Sequence, residues 1–305
     1  MSKLSAPHFT NEDAAREYLE KLRWPNGPVC PHCGVVDKAY ATKRPGKYRC
    51  AEKECRKDFT VKVGTVFEDS KIPLHKWLLA AYLLCSSKKG MSSHQLHRTL
   101  EVTYKTAWFM THRIRETMKT GMFSPMGGSG KVVEADETFI GRKDGAKKQR
   151  GYAHKRPVLS LVERGGQVRS FHVDGTSTDD VMPILKANIA KETALMTDEA
   201  GQYCYADQHF ASHGFTRHSA GEYVRGKIHS NTIEGYFSIF KRGMKGIYQH
   251  CGEKHLHRYL AEFDFRYNTR TLLGFDDTGR ADAVLAGIEG KRLTYRRINR
   301  AQAYA

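Results

Sequence analysis

The spacing of apolar residues predicts helices near both ends of the chain. Ala14, Leu19 and Leu22 lie on one apolar stripe, because residues three and four positions apart share a face of a helix. Pro73 suits the first turn of a second helix, where its missing N–H costs nothing. The predicted helices of these regions cover residues 11–22, 74–87, 93–100, 104–119 and 254–270.

Between these helices, short apolar runs alternate with helical patterns. The runs predict strands at residues 131–137, 156–162, 168–173 and 193–198. Helices are predicted at 178–190, near 203–210 and from Asn231 onward, with a short extended piece near 215–218. Strands that alternate with helices in this way predict an α/β fold, a mixed sheet flanked by helices.

A segment rich in glycine, serine and proline, residues 122–130, separates the early helices from the first strand. Such composition is typical of a linker, and it predicts a multidomain protein. The predicted domains are an N-terminal helix with a cysteine-rich module (1–68), a helical segment (69–121), the α/β domain (122–275) and a basic C-terminal tail (276–305).

Charge indicates a polyanionic partner. The 305 residues include 50 Lys and Arg against 33 Asp and Glu, a formal net charge of +17. An excess of this size favours nucleic acid binding, although a basic protein without that function is the open alternative.

No run approaches the roughly 18 to 20 apolar residues of a membrane helix, and the N-terminus lacks the apolar core of a secretory signal. An intracellular, cytoplasmic protein without membrane contact is therefore expected.

Four cysteines form the strongest local motif. Cys30 and Cys33 make a close pair, sixteen residues separate them from Cys50, and Cys55 follows after four more. Two such pairs at this separation are typical of a zinc ribbon, in which four thiolates surround one structural Zn²⁺ tetrahedrally. Two disulfides or four free thiols are the alternative.

The helices predicted at 93–100 and 104–119 are separated by a brief turn, a pattern that resembles a helix-turn-helix. Lys105 and Arg113 are predicted to lie, together with His112 and Arg115, on a cationic side of the second helix that contacts DNA. An ordinary helical linker is the alternative.

Three carboxylates form the candidate catalytic site. Asp136 and Asp198 each end a predicted strand, and Glu234 lies on the predicted helix that begins near Asn231. Lys241 follows Glu234 by two helical turns and shares its face. Carboxylates bind Mg²⁺, and two such ions suit phosphodiester chemistry. Four other acids, Glu134, Glu137, Asp174 and Glu199, are second choices.

Several motifs together identify a family. They are Cys30-Pro-His-Cys33-Gly34, Phe59-Thr-Val-Lys-Val-Gly-Thr-Val-Phe67, Asp136-Glu-Thr-Phe-Ile-Gly141, Met196-Thr-Asp198-Glu199, His229-Ser-Asn-Thr-Ile-Glu-Gly235 and Phe263-Asp-Phe-Arg-Tyr-Asn268. The chain resembles bacterial insertion-sequence transposases of the DDE type, specifically the ISXO-type group with an N-terminal zinc ribbon.

The resemblance implies a ribonuclease H-like catalytic domain with Asp136, Asp198 and Glu234 as the triad and Lys241 as the basic residue that follows it. It implies two Mg²⁺ ions, with Mn²⁺ as a possible substitute. The expected reaction is hydrolysis at transposon ends, followed by strand transfer of the 3′-hydroxyl to target DNA. The expected double-stranded DNA contacts are Lys105, Arg113, Asn231, Lys241 and Arg242.

Two other functions use the same features. A nuclease or resolvase would cleave with the same carboxylates but without strand transfer, and a DNA-binding regulator would need no carboxylates. Because two transposon ends are joined to one target, a homo-oligomer on DNA, associated with the nucleoid, is expected.

Overall fold

The computed structural model describes residues 3–119 and 124–294. Contacts within the chain divide it into two compact units. The first unit holds Met1–Ser87, Met91–Met118 and Asp277–Ala305, and the second holds Lys88–Gly90 and Lys119–Asp276, as far as these ranges are described. None of the described helices is long and apolar enough to cross a membrane.

The first unit begins with helix α1 (Glu12–Arg23) and a small antiparallel sheet. Asn11 starts the helix, since its side-chain oxygen accepts the N–H of Ala14 at 2.9 Å, which satisfies one of the unpaired donors of a helix N-terminus. The sheet has the strand order β1-β2-β3. Its strands are β1 (Ala39–Ala41), β2 (Tyr48–Cys50) and β3 (Asp58–Phe59).

Four further helices complete the first unit: α2 (Leu74–Ser86), α3 (Ser93–Leu100), α4 (Tyr104–Met118) and α8 (Asp277–Ala286). Ser92 caps α3 by accepting the N–H of Gln95 at 3.1 Å. Glu101 ends α3 in the left-handed region, with a φ of 51°, and the chain then turns into α4.

Helix α8 differs from the sequence prediction, which assigned residues 276–305 to a basic tail. Ala281, Val284 and Leu285 are buried, and α8 packs against α2. The sequence of α8 contains a glycine and small side chains, so its apolar stripe is short and periodicity did not reveal it. The last part of the predicted tail, residues 295–305, and the start of the predicted linker, residues 122–123, lie outside the described residues.

The second unit is built on a five-stranded mixed sheet with the order β6-β5-β4-β7-β8. Strand β5 pairs with β4 and with β6 in antiparallel fashion, whereas β7 pairs with β4 and with β8 in parallel fashion. This confirms the predicted mixed sheet. The strands are β4 (Val132–Ile140), β5 (Arg156–Glu163), β6 (Val168–His172), β7 (Ala194–Asp198) and β8 (Ser212–Thr216).

Helices cover both faces of this sheet. Helix α5 (Thr178–Asn188) packs on one face against a core that contains Val133, Ala135 and Leu195. Helices α6 (Asn231–Gly243) and α7 (Leu256–Asn268) pack on the other face against a core that contains Ile140 and Val158. A two-stranded hairpin, β9 (Val224–Arg225) and β10 (Ile228–His229), precedes α6.

The helix predicted near residues 203–210 is absent from this part of the described chain. The structure instead has two 3-10 turns, Gly201–Tyr203 and Ala206–Gln208, before β8. Tyr203, Ala206 and Phe210 are buried in the core beside α5. Their spacing of three and four residues matches a helix, so periodicity alone could not separate one helix from two short turns.

Candidate active site and zinc centre

Strand register brings Asp136 and Asp198 together. In the parallel pair of β4 and β7, Val132 lies opposite Ala194 and Glu134 lies opposite Met196. Asp136 and Asp198 each follow the last of these pairs by two residues, and the charge of Asp198 acts on the pKa of Asp136. Adjacent strands lie about 4.8 Å apart, so the two carboxylates leave the sheet side by side.

The alternation of side chains along β4 directs Asp136 to the face of the sheet that carries α6. Val133 and Ala135 enter the core beside α5, so residues two apart from them share that side and even-numbered residues face the other. Asp136 consequently faces the helix that bears Glu234, as the sequence pattern predicted.

Asp136 sits in a strongly negative environment. Burial, together with the charges of Asp198, Glu137 and Glu234, raises the pKa of Asp136 to about 8, although the backbone N–H of Glu137 acts to lower it. Among the described residues, no lysine, arginine or histidine nitrogen lies within 4.0 Å of the Asp136 or Asp198 carboxylate. These two carboxylates therefore concentrate negative charge without an ion-pair partner in the described part of the chain.

Glu234 lies in the first turn of α6 and is half exposed, with 46% of its side chain accessible. The Ser230 hydroxyl donates to its Oε1 at 3.1 Å, and the Nε2 atom of His218 lies 3.8 Å from the same oxygen. Because Glu234 acts on the pKa of Asp136, the structure brings all three predicted triad residues into one electrostatic environment.

Glu134 plays a part that sequence reasoning missed. The sequence analysis ranked it as a second-choice ligand, but its side chain is fully buried and its oxygens are already used. It accepts the backbone N–H of Ile233 at 2.9 Å and the Thr232 hydroxyl at 2.8 Å, both at the start of α6. Arg164 donates to it at 2.6 Å. Glu134 thus fixes the N-terminus of the helix that carries Glu234.

The other second-choice acids point elsewhere. Glu137 faces the α5 side, where Tyr203 donates to it at 2.6 Å and Gln202 at 2.9 Å, and burial raises its pKa to about 7. Glu199 accepts from the backbone and hydroxyl of Ser219. Asp174 is exposed.

The predicted DNA-contacting residues on α6 lie at the surface. Asn231 and Arg242 are exposed, and Lys241 is half-buried with its Nζ 5.7 Å from the centre of the Phe237 ring. Arg242 donates to the Ser238 carbonyl at 3.0 Å. Lys241 lies two turns beyond Glu234 on α6, as predicted.

On α4 the predicted cationic side is only partly at the surface. Lys105 is exposed. Arg113 is 7% exposed, and its guanidinium lies 5.0 Å from the centre of the Phe109 ring. Arg113 donates to the backbone carbonyls of Glu68 and Leu293, so it contributes to the interior of the first unit. His112 and Arg115 are buried as well, because α4 is surrounded by other parts of this unit on more sides than its sequence indicated.

The four cysteines form a compact thiol cluster whose ligand atoms all lie within 4.8 Å of one another. The sulfurs of Cys30 and Cys55 are 3.7 Å apart, and those of Cys33 and Cys50 are 3.6 Å apart. Tetrahedral Zn²⁺ with Zn–S bonds of about 2.3 Å places its sulfurs about 3.8 Å apart, so these thiols fit zinc. Within the described part of the chain, no other group of three or more such ligands is gathered this closely; the triad carboxylates are more widely spread.

Comparison with known proteins assigns both regions. Residues 10–58, which contain the four cysteines, match the transposase zinc-ribbon domain. Residues 127–268, which contain the three carboxylates, match the ISXO2-like transposase domain. A protein in the transposable element ISH50 of Halobacterium salinarum, itself uncharacterized, is 31% identical over 282 residues, which cover 85% of this chain and 91% of the relative.

The chain belongs to the ISXO2-like transposase family. In this transposase the cysteine cluster is the structural zinc centre of the zinc-ribbon domain. The matched transposase domain spans β4 to α7, and therefore includes every strand of the mixed sheet and the helix that carries Glu234.

Proposed function

We propose that this transposase cleaves the ends of an insertion sequence by metal-dependent phosphodiester hydrolysis and joins the freed 3′-hydroxyls to target DNA by strand transfer. The observation that carries the proposal is the register of β4 and β7, which sets Asp136 beside Asp198 on the face toward Glu234. The sheet of three antiparallel and two parallel strands supports a ribonuclease H-like fold for this unit.

The donor set fits divalent ions. Asp136, Asp198 and Glu234 offer carboxylate oxygens, the ligands that Mg²⁺ prefers, and within residues 3–119 and 124–294 His218 beside Glu234 is their one ion-pair partner. Two Mg²⁺ ions held by these three residues, or Mn²⁺ in their place, would activate the attacking oxygen and stabilise the leaving oxygen. Burial first, and then the neighbouring carboxylates, disfavour the charged form of Asp136 and raise its pKa, and a divalent cation would stabilise that charged form.

The surface residues of α6 would position the DNA. Lys241 and Arg242 lie on the same helix as Glu234 and can neutralise phosphates near the scissile bond, and Asn231 can orient the strand at the start of the helix. Lys105 at the exposed side of α4 is a further contact if α3 and α4 act as a helix-turn-helix. The left-handed turn at Glu101 between these helices supports that assignment. Arg113, being buried, is left out of the proposed interface.

Cleavage and joining are tested with pre-nicked end DNA, a supercoiled plasmid and Mg²⁺. Wild-type protein should give joined products, and Asp136→Asn or Glu234→Gln should abolish both cleavage and joining while DNA affinity changes by less than about twofold, because these acids do not neutralise phosphate. Glu192→Gln, an exposed acid away from the carboxylates, serves as the matched control.

The outcomes separate the competing functions. Cleavage without joined products would indicate a nuclease, and would overturn the strand-transfer step. Unchanged activity in Asp136→Asn would overturn the assignment of the triad. DNA binding without any cleavage by the wild-type chain, with Mg²⁺ or Mn²⁺, would favour a regulator.

A further inference from the structure

The loop between β4 and β5, residues 141–155, carries an unusual density of positive charge. It contains Arg142, Lys143, Lys147, Lys148, Arg150 and Lys155 against the single acid Asp144. The site proposed above assigns none of these residues a part. Like-charged side chains this close repel one another, so the free loop is held together at an electrostatic cost that a polyanion would relieve.

The base of the loop is pinned to the α/β unit. The Lys143 N–H donates to the His154 carbonyl at 2.9 Å, which closes the loop on itself. Arg156 donates to the Asp144 carboxylate at 2.9 Å. Glu253 accepts the N–H of Asp144 at 3.1 Å. The loop therefore leaves the sheet in a fixed direction.

The tip carries the charges that are not paired. Lys147, Lys148 and Arg150 are exposed, and within the described ranges no carboxylate lies within ion-pair distance of them. Glycines flank this tip, since Gly145 and Gly151 have φ values of 75° and 81°, a conformation that favours glycine. By contrast, Arg156 at the base is buried and paired with Asp144 and Glu253.

An aromatic stack supports the tip. The exposed ring of Tyr152 lies parallel to the Phe139 ring, with centroids 4.7 Å apart and an interplanar angle of 6°. The ammonium of Lys155 lies 4.8 Å from the centre of the Tyr152 ring. The stack fixes the returning strand of the loop against β4 and holds Lys155 toward solvent.

The loop continues the basic surface of α6. A groove of about 240 Å³ is lined by Lys155 and Ile140 from the loop side and by Met244 and Lys245 just beyond α6. Lys241 and Arg242 precede Lys245 on the same stretch of chain. The loop and the end of α6 therefore border one groove with cations on both sides.

Distance along β4 relates the loop to the carboxylates. Ile140 ends β4 four residues beyond Asp136, or about 13 Å at 3.3 Å per residue. Base pairs in duplex DNA repeat every 3.4 Å, so the base of the loop lies roughly four base pairs from a phosphate held at Asp136.

We infer that the loop 141–155 and the end of α6 form a binding strip for the sugar-phosphate backbone of duplex DNA, at a distance of several base pairs from the phosphate to be cleaved. The inference rests on the proposed function for its position relative to the reaction, but its charge and exposure do not depend on catalysis. The partner is double-stranded DNA, recognised through phosphates without base specificity.

The test measures how the affinity for a 30-base-pair duplex of arbitrary sequence depends on salt, with the full-length chain and no divalent metal. Each lysine that neutralises a phosphate contributes about one to the slope of log K against log salt. The double variant Lys147→Ala/Lys148→Ala should therefore lower the slope by about two and reduce affinity at 0.1 M salt by roughly tenfold or more. The matched control is Lys186→Ala/Lys191→Ala, two exposed lysines on or just after α5 and outside the loop.

A loop variant with the same slope and affinity as the control would overturn the inference. A lower slope in both variants alike would also overturn it, because binding would then follow net charge and not the loop. Failure of the proposed function has a different signature: a wild-type chain that neither cleaves nor joins DNA can still show the loop-specific change in slope.

Discussion

Asp264 is a carboxylate enclosed by hydrogen-bond donors on the α6 and α7 side of the sheet. It accepts the Ser170 N–H at 2.8 Å, the Ser170 hydroxyl at 2.7 Å and the Tyr236 hydroxyl at 2.6 Å. Burial raises the pKa of Asp264 to about 6, although these donors act to lower it. The desolvation of the charge outweighs the hydrogen bonds, so folding shifts the protonation equilibrium of Asp264 toward the neutral form.

The raised pKa predicts a pH dependence of stability. A carboxyl with a folded-state pKa above its unfolded value contributes most stability below pH about 4 and loses it as pH rises through about 6. The wild type should therefore lose roughly 1–3 kcal/mol between pH 4.5 and 7.5 relative to Asp264→Asn, which does not titrate. Hydrogen exchange of β6 and α7 amides, compared between the two proteins at each pH, measures this difference. Equal differences at both pH values would contradict the assignment.

Neighbouring acids on β4 show what sequence can and cannot predict about a site. Period-two geometry correctly placed Asp136 on the face opposite Glu137. It could not predict that the Glu134 carboxylate accepts hydrogen bonds from Arg164 and from the N–H of Ile233. These donors are 30 and 99 residues away in sequence. Arg113 was misplaced for a similar reason, since the backbone carbonyls that bind it belong to distant loops.

At the scale of elements, the ion pair between the buried Glu134 and the partly exposed Arg164 positions α6. Arg164 also donates to the His229 carbonyl at 2.8 Å, so one ion pair joins β4, the turn after β5 and the strand that leads into α6. Breaking a buried ion pair by removing one charge costs about 3–5 kcal/mol. The position of Glu234 in the site therefore depends on the ion pair between two other residues, Glu134 and Arg164.

Glu134→Gln should lower the rate of end cleavage by about a hundredfold, since misplacement of a reacting group by about 1 Å costs that much. Hydrogen exchange in residues 228–236 should accelerate, whereas DNA affinity should match that of Glu192→Gln. Faster exchange with an unchanged cleavage rate would show that Glu134 stabilises α6 without positioning Glu234.

The zinc ribbon is a separate element with its own prediction. The wild-type chain should contain about one zinc ion, because four thiolates complete a tetrahedral site. Cys33→Ser should lose the zinc and the exchange protection of β1 to β3, since metal binding and folding are coupled in such modules. Cys204→Ser, an exposed cysteine outside the cluster, should keep both. Zinc content is measured by atomic emission, and a full complement in Cys33→Ser would contradict the ligand set.

Elements with long, regular patterns were predicted well. Helices α2, α3 and α4 and strands β4 to β7 lie within a few residues of their predicted bounds. The missed α8 and the two turns between β7 and β8 have in common that packing with remote segments, not local periodicity, decides their conformation. Tyr203 illustrates the point, since its hydroxyl binds Glu137, a residue 66 positions earlier.

At the scale of the whole molecule, only part of the positive charge is exposed and able to contact DNA phosphates. Several arginines are committed to internal ion pairs, as Arg156 and Arg266 show. The loop 141–155 keeps its cations exposed. The count of 50 Lys and Arg therefore overstates the number of phosphates the protein can contact. The slope of log K against log salt should have a magnitude well below 50.

A transposase that joins two ends to one target needs two active sites at the same place, and symmetric homo-oligomers are the usual solution. We therefore expect that each protomer processes one end.

When equal amounts of wild-type chain and Asp136→Asn are mixed before end DNA is added, products with both ends joined should fall to about one quarter of the yield of wild type at the same total protein. The reason is that both protomers must be active. Products with one end joined should fall less. A fall of both products to about one half would instead indicate that a single chain carries out the two joining events in turn, since inactive chains would then only dilute the active ones. Mixing the two proteins after each has formed its DNA complex provides the control, because protomers that no longer exchange should give about one half of the wild-type yield at the same total protein.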